Sequence, residues 1–184
     1  AANGINYFSS LGAIANQLMI VDREQADKSS LVDSVNDASL VYFTGGNPHH
    51  LIKTVQGSKL HKAIVRALKT GSTLVGSSAG AMMMGSILRL PSGKWIQGLG
   101  IATGIAVLPH HERRDPEEVL RLLQKEMVSA NVWVLGIDTA TCCLRISGNW
   151  VVQGRGTVTL YHGGRWKRFG PGETIHNTSE YDRL

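Results

Sequence analysis

Residues able to carry out acyl transfer lie at the ends of several apolar, β-favouring runs. Leu74-Val75-Gly76-Ser77-Ser78-Ala79-Gly80-Ala81 passes from such a run into small residues. A helical pattern follows, from Ala81 through Met84 and Leu88. Strand, sharp turn and helix with Gly76-x-Ser78-x-Gly80 at the corner describe a nucleophile elbow. Flanking glycines there allow neighbouring backbone to pass close to a raised serine. Ser78 is therefore the candidate nucleophile, against the plainer reading of a helix-capping serine. The backbone N–H of Ala79, just after it, and that of Gly46 in the Gly45-Gly46 turn are candidate donors to an oxyanion.

A nucleophilic serine needs a base, and the base needs a group to orient it. The run Ile105-Ala106-Val107-Leu108 leads into Pro109-His110-His111, so either histidine is a candidate base. Alternation along the chain turns one towards the site and the other away. No Asp or Glu lies between Ser78 and His111. Asp22 lies upstream, and Glu112, Asp115 and Asp138 lie downstream. Asp115 precedes Pro116 and reads as a helix cap, and Glu112 reads as a loop charge. Asp138 ends the apolar run Val132 to Ile137 and is the candidate third member. Arg113 and Arg114 could pair with an acidic substrate group, and Asn47, beside the Gly-Gly turn, joins them as a candidate substrate contact. His49-His50 and His110-His111 lack ligand spacing, so neither metal nor cofactor is expected.

These residues need a scaffold that brings strand ends together. Leu18–Val21, Leu40–Thr44, Ser72–Val75, Ile105–Leu108 and Val132–Ile137 read as buried strands. Helical spacing is seen over 4–16, 29–35, 49–55, 59–68 and from Pro116. Strands alternating with helices predict an α/β fold with a mainly parallel sheet covered on both faces. Pro91–Thr103 reads as a loop. Beyond Thr139, short runs separated by glycine turns predict C-terminal antiparallel β-hairpins. The whole chain, 1–184, reads as one domain. Because it opens on a helix feeding a strand, it is expected to lack a first strand. In an open parallel sheet the ligand site lies beyond the carboxyl ends of the strands, where the candidates collect.

Composition narrows the classes. At 184 residues, 42% hydrophobic and 18% charged, the chain can bury a sound core. No run of about 18 apolar residues is present, so no membrane partner is expected. The net charge of +5 raises a nucleic-acid partner. Its basic residues are scattered and not interleaved with aromatics, so none is expected. The two cysteines, Cys142 and Cys143, are adjacent in a β-like run. Their side chains point to opposite faces, which fits a reducing, cytoplasmic setting.

Taken together, Val41-Tyr42-Phe43-Thr44-Gly45-Gly46-Asn47, Gly76-Ser77-Ser78-Ala79-Gly80-Ala81, Pro109-His110-His111 and Gly136-Ile137-Asp138-Thr139-Ala140 resemble the cyanophycinase and dipeptidase E family of serine peptidases. The resemblance implies a flavodoxin-like three-layer sandwich related to class I glutamine amidotransferases, with Ser in place of their Cys. It implies hydrolysis of peptide bonds beside an aspartyl residue, with Ser78 as nucleophile. It implies His110 as base, because the family histidine directly follows Pro or Gln. Leu108-Pro109 and Asn47-Pro48 depart from the cyanophycinase pattern towards dipeptidase E, whereas Gly136-Ile137-Asp138 leans back. The expected substrate is a small acidic peptide, and a homodimer is left open. The alternatives are a serine esterase or amidase with another substrate, and a non-catalytic binding protein.

Overall fold

A computed structural model describes residues 2–176. Helix α1 (Ala2–Ser10) opens the chain, followed by the short helices α2 (Arg23–Ala26) and α3 (Ser29–Val32). Strand β1 (Leu40–Phe43), helices α4 (Pro48–Val55) and α5 (Lys59–Lys69), strand β2 (Thr73–Gly76) and helix α6 (Ala79–Met84) come next. A hairpin of β3 (Ile87–Arg89) and β4 (Trp95–Gln97) precedes β5 (Ile105–Pro109), α7 (Pro116–Lys125) and β6 (Trp133–Ile137). The remainder is β: β7 (Thr141–Ile146), β8 (Asn149–Gly154), β9 (Val158–His162), β10 (Arg165–Phe169) and β11 (Thr174–Ile175).

The helices begin where local chemistry asks them to. Asn47, Ser58 and Asp115 cap α4, α5 and α7 by accepting N–H bonds of the first turn. Pro48 and Pro116 occupy the first helical positions, where no N–H is missed. Each helix then turns an apolar stripe inward. Leu60, Ala63, Ile64 and Ala67 of α5 join Val32, Val35, Ile52 and Val55 in one buried cluster. Val119 and Leu123 of α7 pack with Ala106, Val134 and Tyr161 in another. Burying each valine, leucine or isoleucine among them contributes about 1.5–3 kcal/mol.

The strands pair in parallel as β1–β2 and β5–β6, with Phe43 opposite Gly76 and Pro109 opposite Ile137. These two parallel pairs belong to separate small sheets. β9 and β10 extend the second in the order β10-β9-β6-β5, antiparallel, and β7, β8 and β11 form an antiparallel sheet of their own. The architecture is thus mixed α/β, with the expected C-terminal hairpins and, among the described residues, without one continuous parallel sheet. Helix α6 packs against both β2 and β5 and so joins the two parallel pairs.

Four local expectations are corrected. The helical spacing over 4–16 gives a helix only as far as Ser10. Leu18–Val21 forms no strand. The Val21 N–H donates to Gln25 Oε1 and its carbonyl accepts from the His50 ring, so its backbone is satisfied without a ladder. Leu18 and Ile20 still pack on the core, which accounts for the apolar run. The helix after Ser78 ends at Met84, and Leu88 lies in β3. Residues 91–103 are not wholly loop, because β4 pairs with β3 across the turn at Pro91 to Lys94.

Candidate active site

The parallel pairing places the carboxyl ends of β1, β2, β5 and β6 where Gly45-Gly46, Ser78, His110 and Asp138 follow. Ser78 joins β2 to α6 with φ 51° and ψ −117°. That left-handed backbone is uncommon for a residue with a side chain and costs on the order of 1–3 kcal/mol. It is held by packing on both sides. A Cβ on Gly76 would stand 2.6 Å from backbone atoms of Gly80 and Ala81, and one on Gly80 would stand 2.5 Å from the Phe43 carbonyl oxygen. Only glycines allow α6 to start so close to both strands.

The helix-cap reading of Ser78 does not hold, because its side chain makes no capping bond to α6. Its Oγ instead lies 3.1 Å from His110 Nε2. His110, just past β5, is exposed and is also held at positive φ, 57°. The two strained residues thus present their polar atoms to each other. Ser77 is exposed, and its N–H is bonded to the Phe43 carbonyl.

His111 goes the other way. It is 3% exposed and its N–H is bonded to the Ile137 carbonyl. Its ring Nε2 lies 2.7 Å from the Tyr161 hydroxyl. The ring lies over Gly136, where a Cβ would come within 2.5 Å of it. Burial pushes the His111 pKa below its ordinary value, with the nearby Asp138 opposing, and burial pushes the Tyr161 hydroxyl up. His111 is a buried structural histidine whose ring is committed to Tyr161 and not to Ser78.

Ser78, His110, Gly46 and Ala79 line one cleft of about 270 Å³. Its walls are completed by Pro48, Met82, Leu90, Pro91, Leu108 and Pro109, together with Arg89. Among the described residues, neither the Gly46 N–H nor the Ala79 N–H donates to a backbone or side-chain acceptor. Both donors therefore stand unused beside the serine hydroxyl.

The other expected site residues have different partners. Asp138 Oδ2 accepts from the Thr157 N–H and hydroxyl, both at 2.8 Å, and does not bond His110. Glu112 is no idle loop charge. Its two carboxylate oxygens accept from the Thr139 N–H at 2.9 Å and the Thr139 hydroxyl at 2.8 Å. Bonds from its own N–H and from Thr139, with a smaller contribution from His110, hold the Glu112 pKa down at about 2. Asn47 Oδ1 is occupied by the His49 and His50 N–H groups that it caps. Arg113 and Arg114 are exposed in the turn after His111, outside the cleft lining.

The cation at the cleft is Arg89, and sequence reasoning missed it together with its partner Glu126. The signal was available: Ile87-Leu88-Arg89 and Trp95-Ile96-Gln97 flank Pro91-Ser92-Gly93-Lys94, a hairpin pattern. Among the described residues no cluster of His, Cys, Asp and Glu is suited to a metal ion. No helix among them is long and apolar enough to cross a membrane.

Comparison with known proteins extends the likeness over most of the chain. The model of a family described as Peptidase family S51 matches residues 2–152. A cyanophycinase of Nostoc sp. is 28% identical over 85% of this chain and 56% of its own length. A cyanophycinase of Geminocystis herdmanii is 30% identical over 86% of this chain and 62% of its own length. The chain thus spans little more than half the length of the curated relatives it matches. Among solved structures, a peptidase from an acI-B1 Actinobacterium superposes with a TM-score of 0.77 at 28% identity, covering 96% of this chain and 78% of that one. A putative Peptidase E protein from Listeria monocytogenes EGD-e superposes with a TM-score of 0.55 at 15% identity, covering 91% and 76% of the two chains, a likeness of fold.

Proposed function

The chain belongs to peptidase family S51, and we propose that it is a serine-type peptidase that hydrolyses peptide bonds beside an aspartyl residue through an acyl-enzyme. The observation that carries this reading is the 3.1 Å approach of Ser78 Oγ to His110 Nε2, made by two residues held at positive φ. Ser78 Oγ attacks the carbonyl carbon while His110 Nε2 takes its proton. The developing oxyanion is received by the N–H groups of Gly46 and Ala79, and each such donor is worth about 10²–10³ in rate. His110 then gives the proton to the leaving amine. Water, activated by the same imidazole, releases the acid and restores Ser78.

His110 Nδ1 has no hydrogen-bonded carboxylate among the described residues, so the classical third member is absent from this arrangement. Glu112 is the nearby carboxylate whose charge interacts with that of His110. It is pinned by Thr139 and is ionised at any working pH. The third member of a triad orients and stabilises and makes no bonds to substrate, so a carboxylate at this range is workable. We place the reaction on a small acidic peptide in a reducing cytoplasm, consistent with Cys142 and Cys143 being free thiols.

A panel of Asp-Xaa dipeptides and aspartyl anilides, offered to wild type and to Ser78→Ala, tests the reading. Wild type is expected to turn over the aspartyl substrates, and Ser78→Ala to lose about 10³-fold or more of that rate. Equal turnover by the two proteins would remove Ser78 from the mechanism.

A further inference from the structure

The β3–β4 hairpin contributes Arg89, Leu90 and Pro91 to the cleft that holds Ser78, and Arg89 is the one Arg, Lys, Asp or Glu among the lining residues. Much of the lining around it is apolar, including Pro48, Met82, Leu90, Pro91 and Leu108. A guanidinium in such surroundings is only partly solvated, and the Arg89 side chain is 27% exposed. Its orientation is set from behind. Glu126, just past the end of α7, accepts from Arg89 Nε at 2.9 and 3.2 Å and from Nη2 at 2.6 Å. The same carboxylate accepts the Trp95 indole N–H at 2.7 Å, so it is itself held in place. Arg89 holds the Glu126 carboxyl below its usual range, and the pair stays ionised.

This arrangement uses one edge of the guanidinium and leaves the other. Nε and one Nη2 hydrogen face Glu126, while Nη1 donates to nothing among the described residues. The unused N–H groups form the end-on fork of the guanidinium, which matches the two oxygens of a carboxylate. A guanidinium already fixed on Glu126 loses little further side-chain freedom when it binds a ligand. Arg113 and Arg114, the other cations close in sequence to His110, lie outside the lining.

We propose that Arg89 is the carboxylate anchor of this cleft, binding an acidic group of the substrate end-on while Glu126 holds its opposite edge. This rests on the peptidase reading above and adds to it the residue that sets the preference for an acidic substrate. Glu126 and Trp95 are positioning residues for the anchor. The anchored carboxylate belongs either to the side chain beside the scissile bond or to the peptide C-terminus.

Calorimetric titration of the Ser78→Ala protein tests the anchor without requiring turnover. Aspartyl p-nitroanilide is compared with asparaginyl p-nitroanilide for the side-chain carboxylate, and Asp-Leu with Asp-Leu-amide for the terminal one. Adding Arg89→Gln is expected to weaken binding of the carboxylate member of one pair by about 10- to 100-fold, and of its neutral partner by less than about threefold. Arg89→Lys, which keeps the charge and loses the fork, should fall between. It also replaces Arg89→Gln if that variant does not fold. Glu126→Gln, which keeps one acceptor oxygen and loses the other, should weaken the preference by less than Arg89→Gln does. A preference for neither carboxylate in the Ser78→Ala protein, or its survival in Arg89→Gln, overturns the assignment. Reaction of wild-type Ser78 with a fluorophosphonate tests the peptidase reading separately. An unreactive serine beside an Arg89-dependent carboxylate preference would remove the chemistry and leave the anchor.

Discussion

His110 and His111 are adjacent, identical in type and opposite in every physical respect. His110 is exposed, sits at φ 57° and turns its Nε2 to Ser78. His111 is buried, bonded through its ring to Tyr161 and packed on the bare Cα of Gly136. One stands at the end of β5 where strain is concentrated and contacts are few, whereas the other closes the core between β5, β6 and β9. The difference teaches that a histidine's role here is set by the side of the strand end it leaves from. The core-facing residue fixes the backbone from which the other is raised. Functional strain at His110 is held by ordinary packing at His111.

This contrast can be broken from either side. The largest effect is expected on the exposed side: His110→Gln should lower kcat/KM by about 10³-fold or more with the midpoint of urea unfolding unchanged. A parallel loss of stability would place His110 in the core account instead. On the buried side, Gly136→Ala drives a methyl group into the His111 ring and should cost about 1–3 kcal/mol in urea unfolding. A neutral result would mean that the ring moves aside freely, against its bond to Tyr161.

Two smaller effects sharpen the comparison. Glu112→Gln removes the pinned charge near His110 and should lower kcat/KM by about three- to tenfold. An unchanged kcat/KM would detach Glu112 from His110. The pH dependence of stability should carry the mark of His111 instead. Its folded pKa lies below the ordinary histidine value of about 6.5, so the unfolded chain binds the proton more readily. Its contribution is complete above about pH 6.5 and is lost as pH falls towards the lowered folded value. His61, also lowered by burial, acts in the same direction, so the reading is the difference between wild type and His111→Gln. The variant should have the flatter curve across that window. Glu112 acts lower, its contribution being lost between the ordinary carboxylate range and about pH 2.

Much of the scaffold is legible in the sequence because it depends on local patterns. Continuous apolar runs mark β1, β2, β5 and β6, and Asp115-Pro116 marks the start of α7. The strand-turn-helix context of Ser78 is equally local, as is its pair of flanking glycines. What escapes depends on distant partners. Leu18–Val21 has the composition of a buried strand, yet Gln25 and His50 take up the Val21 backbone groups. Leu88 continues the spacing of Met84, so the hairpin that carries Arg89 hides behind an apparent helix. Glu112 gains its meaning from Thr139, and Asp138 loses the role expected of it to Thr157, neither of which spacing reveals. The continuous sheet expected from alternating strands and helices is, among the described residues, two separate parallel pairs joined through α6.

The central claim is that His110 activates Ser78, and the rate of fluorophosphonate adduct formation tests it most directly. Intact and peptide mass measurement would follow the adduct in wild type and in His110→Gln at neutral pH. The account predicts a single adduct on Ser78 in wild type, forming at least about 100-fold more slowly in His110→Gln. A folded wild-type protein that forms no adduct on Ser78, or a His110→Gln protein that forms it at the wild-type rate, would contradict the account.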